Sequence, residues 1–124
     1  MAHLKRLDTL EVATSDLKDA AEVYQKNFAL KLKRPMERDS ASLAIGDCEI
    51  RLVSASSASY PLGSSEEGMA AVYLEAEDVE TVLETLKDAG YETGEIKTQG
   101  GRRILLIDPK LSNGVPLFIF DRKA

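Results

Sequence analysis

The chain has 124 residues, 44% of them apolar, which suits one domain with one core and no need of disulfides or metals as staples. Its formal charge is −5, and a phosphate-gripping surface needs clustered positive charge. Only Arg102-Arg103 and Lys31-Leu32-Lys33-Arg34 approach that, and both are expected to be solvated strand edges or turns, so nucleic acid is not an expected partner. No apolar run approaches the roughly 18 residues of a membrane span. Met1–Arg6 leads into a strand-like stretch rather than a signal sequence. The single Cys48 has no partner for an internal bridge, which fits a reducing, cytoplasmic setting.

The first segment, Leu7–Thr14, alternates apolar and polar residues as a half-buried strand does. After Asp16 the period changes: Leu17, Ala20, Ala21, Tyr24 and Phe28 fall on one helix face. Asp16 is placed to cap that helix, offering its carboxylate to the free amides of the first turn. Three strand signals follow, over 31–36, 42–45 and 48–54, with Gly46-Asp47 as a turn between the last two. Residues 55–68 are small, polar and punctuated by Pro61 and Gly63, which is linker chemistry.

The pattern then repeats at an offset of 62 positions, half the chain length. Met69–Ala76 alternates, Asp78 stands at a second cap, and Val79, Val82, Leu83, Leu86 and Ala89 form a helix face ending at Gly90. Strand signals follow over 91–98, 102–107 and 115–120, separated by Gly100-Gly101 and by the stretch from Asp108-Pro109 to Asn113-Gly114. Each half reads β-α-β-β-β, so eight strands and two main helices are expected.

This tandem βαβββ order resembles the vicinal oxygen chelate superfamily, the glyoxalase, bleomycin-resistance and dioxygenase proteins. The resemblance rests on Thr9–Leu17 as opening strand and helix entry, on Val72–Val79 as the same device repeated, and on Asp108-Pro109 with Asn113–Phe118 as the closing turn and strand. It implies an α+β fold whose tandem βαβββ modules form a curved, cup-like mixed sheet. The expected domain is a single one over 1–124, with module one about 4–54, a linker at 55–68 and module two about 69–121. It also implies a homodimer, for which open strand edges give a second reason.

In that family the cup holds a divalent metal, bound by His, Glu or Gln from the first and last strands of each module. By resemblance those positions fall at Thr9, Arg51, Ala71 and Phe118. Ala and Phe have no lone pairs, Arg is a permanent cation and a lone Thr hydroxyl is a poor ligand. His3, the one histidine, precedes the first strand. No metal and no cofactor are therefore expected.

Alternation places Thr9, Glu11, Glu49, Arg51, Val53, Tyr73, Glu75, Phe118 and Phe120 on the cup face, and Ile50, Leu52, Val72, Leu74, Leu117 and Ile119 against the helices. The expected ligand-binding set is Thr9, Glu11, Arg51, Val53, Tyr73, Glu75, Phe118 and Phe120, for a small organic molecule. Arg51 either grips an anionic or carbonyl group of the ligand or neutralises Glu11 or Glu75. Glu11 or Glu75 could also serve as a general base; no other catalytic set is visible, and Cys48 lacks a base beside it. The leading expectation is a metal-independent binding protein of the bleomycin-resistance type. The alternatives are a lyase, epimerase or dioxygenase-like enzyme, or an interaction module with a closed pocket.

Overall fold

The computed structural model describes residues 4–54, 68–107 and 116–123. His3, the linker at 55–67 and the stretch from Asp108 to Val115 lie outside the described residues. The elements run β1 (Leu4–Thr14), α1 (Leu17–Asn27), β2 (Lys31–Leu32), β3 (Ser40–Ile45), β4 (Cys48–Ser54), β5 (Gly68–Ala76), α2 (Val79–Asp88), β6 (Lys97–Gln99), β7 (Arg102–Ile107) and β8 (Leu117–Asp121). The eight strands and two helices match the expected α+β pattern.

The chain divides into two compact units, one of Asp8–Ala71 and one of Met1–Leu7 with Val72–Ala124. In the first, the strand order is β2-β3-β4-β1, with β1 parallel to β4 and the other pairs antiparallel. In the second, the order is β5-β8-β7-β6, with β5 parallel to β8. Each parallel pair joins the first and last strand of one repeat.

Alternation decides which face each helix covers. In the first unit, Ala21 of α1 packs with Ala41, Leu43 and Leu52, flanked by Val12, Leu17, Tyr24 and Ile50. In the second, Val79 and Val82 of α2 pack with Ala76, Leu105, Ile107 and Ile119, flanked by Leu74 and Leu117. A fully buried aliphatic side chain contributes about 1.5–3 kcal/mol, so these two clusters hold each helix to its sheet.

Both expected caps form. Asp16 accepts from the Asp19 amide at 3.0 Å and Asp78 from the Glu80 amide at 2.9 Å. The helix ends differ. Gly90, at φ 89°, follows α2 where left-handed backbone costs glycine nothing, whereas α1 is followed by Ala29 at φ 56°.

Four expectations need correction. The strand expected over 31–36 ends at Leu32, because Pro35 has no amide to continue a ladder and Arg34 turns towards Glu49. The strand expected over 91–98 shrinks to Lys97–Gln99, after a stretch interrupted by Gly94. Phe28 does not join the apolar face of α1; it is the C-cap residue, 63% exposed and tilted against Tyr24. Ala89 likewise caps α2 and is exposed.

The edge argument for pairing also weakens, since β2 and β6 are very short and each carries a lysine, features that discourage strand addition. Among the described residues, no helix is long and apolar enough to cross a membrane.

Candidate functional site

Opposite its helix, each unit presents a face of polar and aromatic side chains. In the first unit the register sets Ser42 of β3, Arg51 of β4 and Glu11 of β1 in one transverse row. Glu11 is fully buried, and its carboxylate lies 4.0 Å from the Arg51 guanidinium, whose side chain is 42% exposed. Arg51 is thus not the buried mid-strand cation that its neighbours Ile50 and Leu52 suggest; its head group reaches solvent while its stem leaves the sheet beside Glu11.

The next row holds Glu49 opposite Thr9. Glu49 takes hydrogen bonds from Lys33 Nζ at 3.3 Å and Arg34 Nη2 at 3.3 Å. Lys31, Lys33 and Arg34 are exposed, as expected of a solvated edge and turn, although Lys33 and Arg34 also reach this carboxylate. Thr9 Oγ1 donates to Asp8 Oδ2 at 2.7 Å. Val53 completes this face, fully covered.

In the second unit Tyr73 stands opposite Phe118 and Glu75 opposite Phe120. The Tyr73 and Phe118 rings stack, with centroids 4.8 Å apart and planes within 10°. Glu75, almost buried, accepts from Arg6 Nε at 3.1 Å and meets Arg122 Nε at 3.3 Å and Lys5 Nζ at 4.0 Å. Glu75 is thus taken up by cations of its own unit. The Phe120 ring, also buried, lies 4.4 Å from the Arg102 guanidinium carbon and 5.4 Å from that of Arg122.

Arg103 points the other way, towards α2. It donates from Nη2 to Asp121 Oδ2 at 2.6 Å and from Nε to Oδ1 at 3.0 Å, and pairs with Asp78 and Glu80. Burial pushes the Asp121 carboxyl up, but hydrogen bonds from Arg103 and from the Val79 and Lys123 amides outweigh it and hold its pKa down at about 2. The hydrogen bond from the Glu80 amide, more than the nearby Lys123 and Arg103, lowers Asp78. The hydrogen bond to Asp121 foremost, and then the charges of Glu80 and Asp78, raise Arg103. The pair Arg102-Arg103, expected to be solvated, instead divides between the two faces of the sheet and is engaged on both.

The expected site residues therefore fall into two sets, Thr9, Glu11, Arg51 and Val53 in one unit and Tyr73, Glu75, Phe118 and Phe120 in the other. Arg51, Tyr73 and Phe118 keep surface, while Glu11, Val53 and Phe120 support from beneath. Sequence reasoning missed Arg6, Lys5, Arg102 and Arg122, which reach this face, and Asp121. Asp121 follows Phe120 by one residue, so alternation alone assigns it to the helix side.

The side chains at the positions where the resemblance puts metal ligands do not fit a divalent ion. Thr9 spends its hydroxyl proton on Asp8, Arg51 is cationic, and Ala71 and Phe118 carry no donor atom. Among the described residues no group of three His, Cys, Asp or Glu is placed to hold a metal.

Two βαβββ repeats, each with its helix on one sheet face and polar groups on the other, define the glyoxalase-like class of α+β proteins. The family model of the Glyoxalase/Bleomycin resistance protein/Dioxygenase superfamily matches residues 6–109, and the chain belongs to that superfamily. No curated protein matches the chain in sequence. Among solved structures, a methylmalonyl-CoA epimerase in complex with methylmalonyl-CoA is similar at a TM-score of 0.76 and 20% identity, over 98% of this chain and 96% of that one. The methylmalonyl-CoA epimerase from Mycobacterium tuberculosis is similar at 0.70 and 24% identity, over 98% and 90%. A hypothetical protein from Bacillus halodurans is similar at 0.72 and 20% identity, over 96% and 95%.

Proposed function

We propose that this protein binds a small organic molecule without a metal, as a glyoxalase/bleomycin-resistance type binding protein in the cytoplasm. The observation that carries the reading is the Arg51–Glu11 row. A half-exposed guanidinium beside a buried carboxylate stands where the family pattern would place a metal ligand, so the protein supplies fixed positive charge itself. Guanidinium geometry matches a carboxylate or carbonyl oxygen; in the other unit, taken by itself, the Tyr73–Phe118 stack is a flat apolar surface of the kind small organic groups pack on. Thr9, Glu11 and Val53 belong to the proposed ligand set of the first unit, and Glu75 and Phe120 to that of the second. A homodimer is part of this reading by resemblance.

The test is a thermal-shift screen of small organic acids run before and after exhaustive treatment with a chelator. A ligand that binds the native state raises the melting temperature by mass action. The shift is expected to survive chelation unchanged; a response lost with chelation and restored by zinc, nickel or cobalt overturns the reading.

A second reading is a superfamily enzyme of the epimerase kind acting on a CoA ester. It is favoured by the fold likeness to methylmalonyl-CoA epimerases and by the presence of the buried carboxylate of Glu11 beside Arg51. Incubation with methylmalonyl-CoA in deuterated water tests it: an epimerase exchanges the α-proton for deuterium, and no exchange above the uncatalysed rate removes this reading.

A further inference from the structure

The register of the second unit lines up one apolar row across three strands. Tyr73 of β5 stands opposite Phe118 of β8, and Phe118 opposite Leu106 of β7. The next row holds Glu75, Phe120 and Ile104. Alternation puts Arg102, two residues before Ile104, on this same face, where its guanidinium carbon lies 4.4 Å from the Phe120 ring centroid. The face away from α2 thus carries a strip of aromatic and aliphatic side chains with a cation at one end.

Leu106 is 39% exposed, while its strand neighbours Leu105 and Ile107 are buried in the cluster under α2. A single exposed leucine is ordinary, but this one extends the stacked pair of Tyr73 and Phe118, whose rings are themselves only half-buried. Arg102 differs from the other arginines of the fold. Arg6, Arg34, Arg51, Arg103 and Arg122 each reach a carboxylate. Among the described residues Arg102 reaches the Phe120 ring and no acid. A ring face attracts a cation modestly, but it does not fill the planar fork of N–H donors that a guanidinium carries. Arg102 is half-buried, so it gives up part of its hydration without gaining an acceptor in return.

We propose that this strip takes an aromatic acid, its flat ring lying on Tyr73, Phe118 and Leu106 and its carboxylate meeting the Arg102 fork. Aromatic rings gain from offset or edge-to-face contact with other rings beyond what burial alone gives, and a carboxylate matches a guanidinium with two parallel hydrogen bonds. Two positions along β8 separate Phe118 from Phe120, about 7 Å at the rise of a strand. An acid of one or two fused rings therefore spans from the apolar row to the cation. A mostly apolar surface with one placed charge is the usual make-up of a small-ligand site. The proposal deepens the proposed function by naming the ligand class for the second unit, and it rests on that reading. The two fail separately: a ligand response that needs a metal overturns the proposed function, whereas ring preference and dependence on Arg102, read in chelator-treated protein, concern this strip alone.

The experiment is an NMR titration of the isotopically labelled, chelator-treated full chain with sodium naphthoate. Two comparison compounds divide the contributions. Naphthalenemethanol keeps the rings without the charge, and decalin carboxylate keeps the charge and bulk without the aromatic faces. Saturable shifts with naphthoate are expected at the amides of Arg102, Leu106 and Phe118, with each comparison compound binding about tenfold more weakly or worse. Arg102→Gln is expected to bring naphthoate down to the affinity of the alcohol and to leave the alcohol unchanged. Leu106→Ser, at an exposed position, weakens the acid and the alcohol alike. Lys26→Gln removes the same charge from α1 and leaves all three compounds unchanged. The absence of a saturable shift with naphthoate, equal affinity for naphthoate and its saturated counterpart, or naphthoate binding unaltered in Arg102→Gln overturns the proposal.

Discussion

Asp121 and Arg103 are locked by two hydrogen bonds, 2.6 and 3.0 Å long, across the β7–β8 ladder, and the Asp121 oxygen on the shorter bond also accepts from the Val79 amide at 2.8 Å. One carboxylate thereby ties two strands to the first turn of α2. Asp121→Asn removes the charge and leaves Arg103 without its strongest partner. Breaking one side of a buried pair costs about 3–5 kcal/mol, so urea unfolding at neutral pH is expected to show a loss of about 3 kcal/mol. An unchanged midpoint would mean that Arg103 is satisfied by Asp78 and Glu80 alone.

The same carboxylate predicts a pH dependence. The folded pKa of about 2 lies below the 3.8 of an ordinary aspartate, so the stabilisation is fully present above the unfolded pKa. It is lost as pH falls through the folded value. Across that window wild type is expected to lose about 2 kcal/mol more stability than Asp121→Asn does. Chemical denaturation at a series of pH values from neutral to about 2 measures it, and parallel curves for the two proteins would contradict the assignment.

Arg51→Met tests the Glu11 row. The pair distance of 4.0 Å and the half-exposed guanidinium argue for a smaller effect than at Asp121. Glu11 remains buried, however, and loses a neighbouring cation, so a destabilisation of about 1–2 kcal/mol is expected. Adding Glu11→Gln should recover part of that loss in a double-mutant cycle, with a coupling of about 0.5–1 kcal/mol. Strict additivity would show that the two groups do not sense each other.

Ala29 offers a test with the opposite sign. At φ 56° an alanine pays the steric cost of the left-handed region, about 1–2 kcal/mol, which glycine avoids. The extra freedom that glycine gives the unfolded chain offsets part of the gain. Ala29→Gly is expected to raise stability by about 0.5–1 kcal/mol by urea denaturation. The equivalent change in the other direction, Gly90→Ala, should lower it.

What could be read from the sequence was local and periodic. The switch from alternation to helical spacing after Asp16 and Asp78 located both caps, and alternation in β4, β5 and β8 separated the helix side from the polar side. Alternation failed where strands are too short to show a period, as at Lys31–Leu32 and Lys97–Gln99. It also could not reveal that Arg6 meets Glu75, since 69 positions separate them in the chain. The split of Arg102 and Arg103 between opposite faces was available from the same rule. What was missing was the pairing of β7 with β8, which sets Asp121 across from Arg103.

Elemental analysis of purified, untagged protein, followed by calorimetric titration with zinc, nickel and cobalt, tests most directly whether the protein works without a metal. With Thr9 bonded to Asp8, Arg51 beside Glu11, and Ala71 and Phe118 without donor atoms, well under one metal per chain and no saturable heat are expected. A tightly held stoichiometric metal, removed only by chelation and taking the ligand response with it, would contradict this.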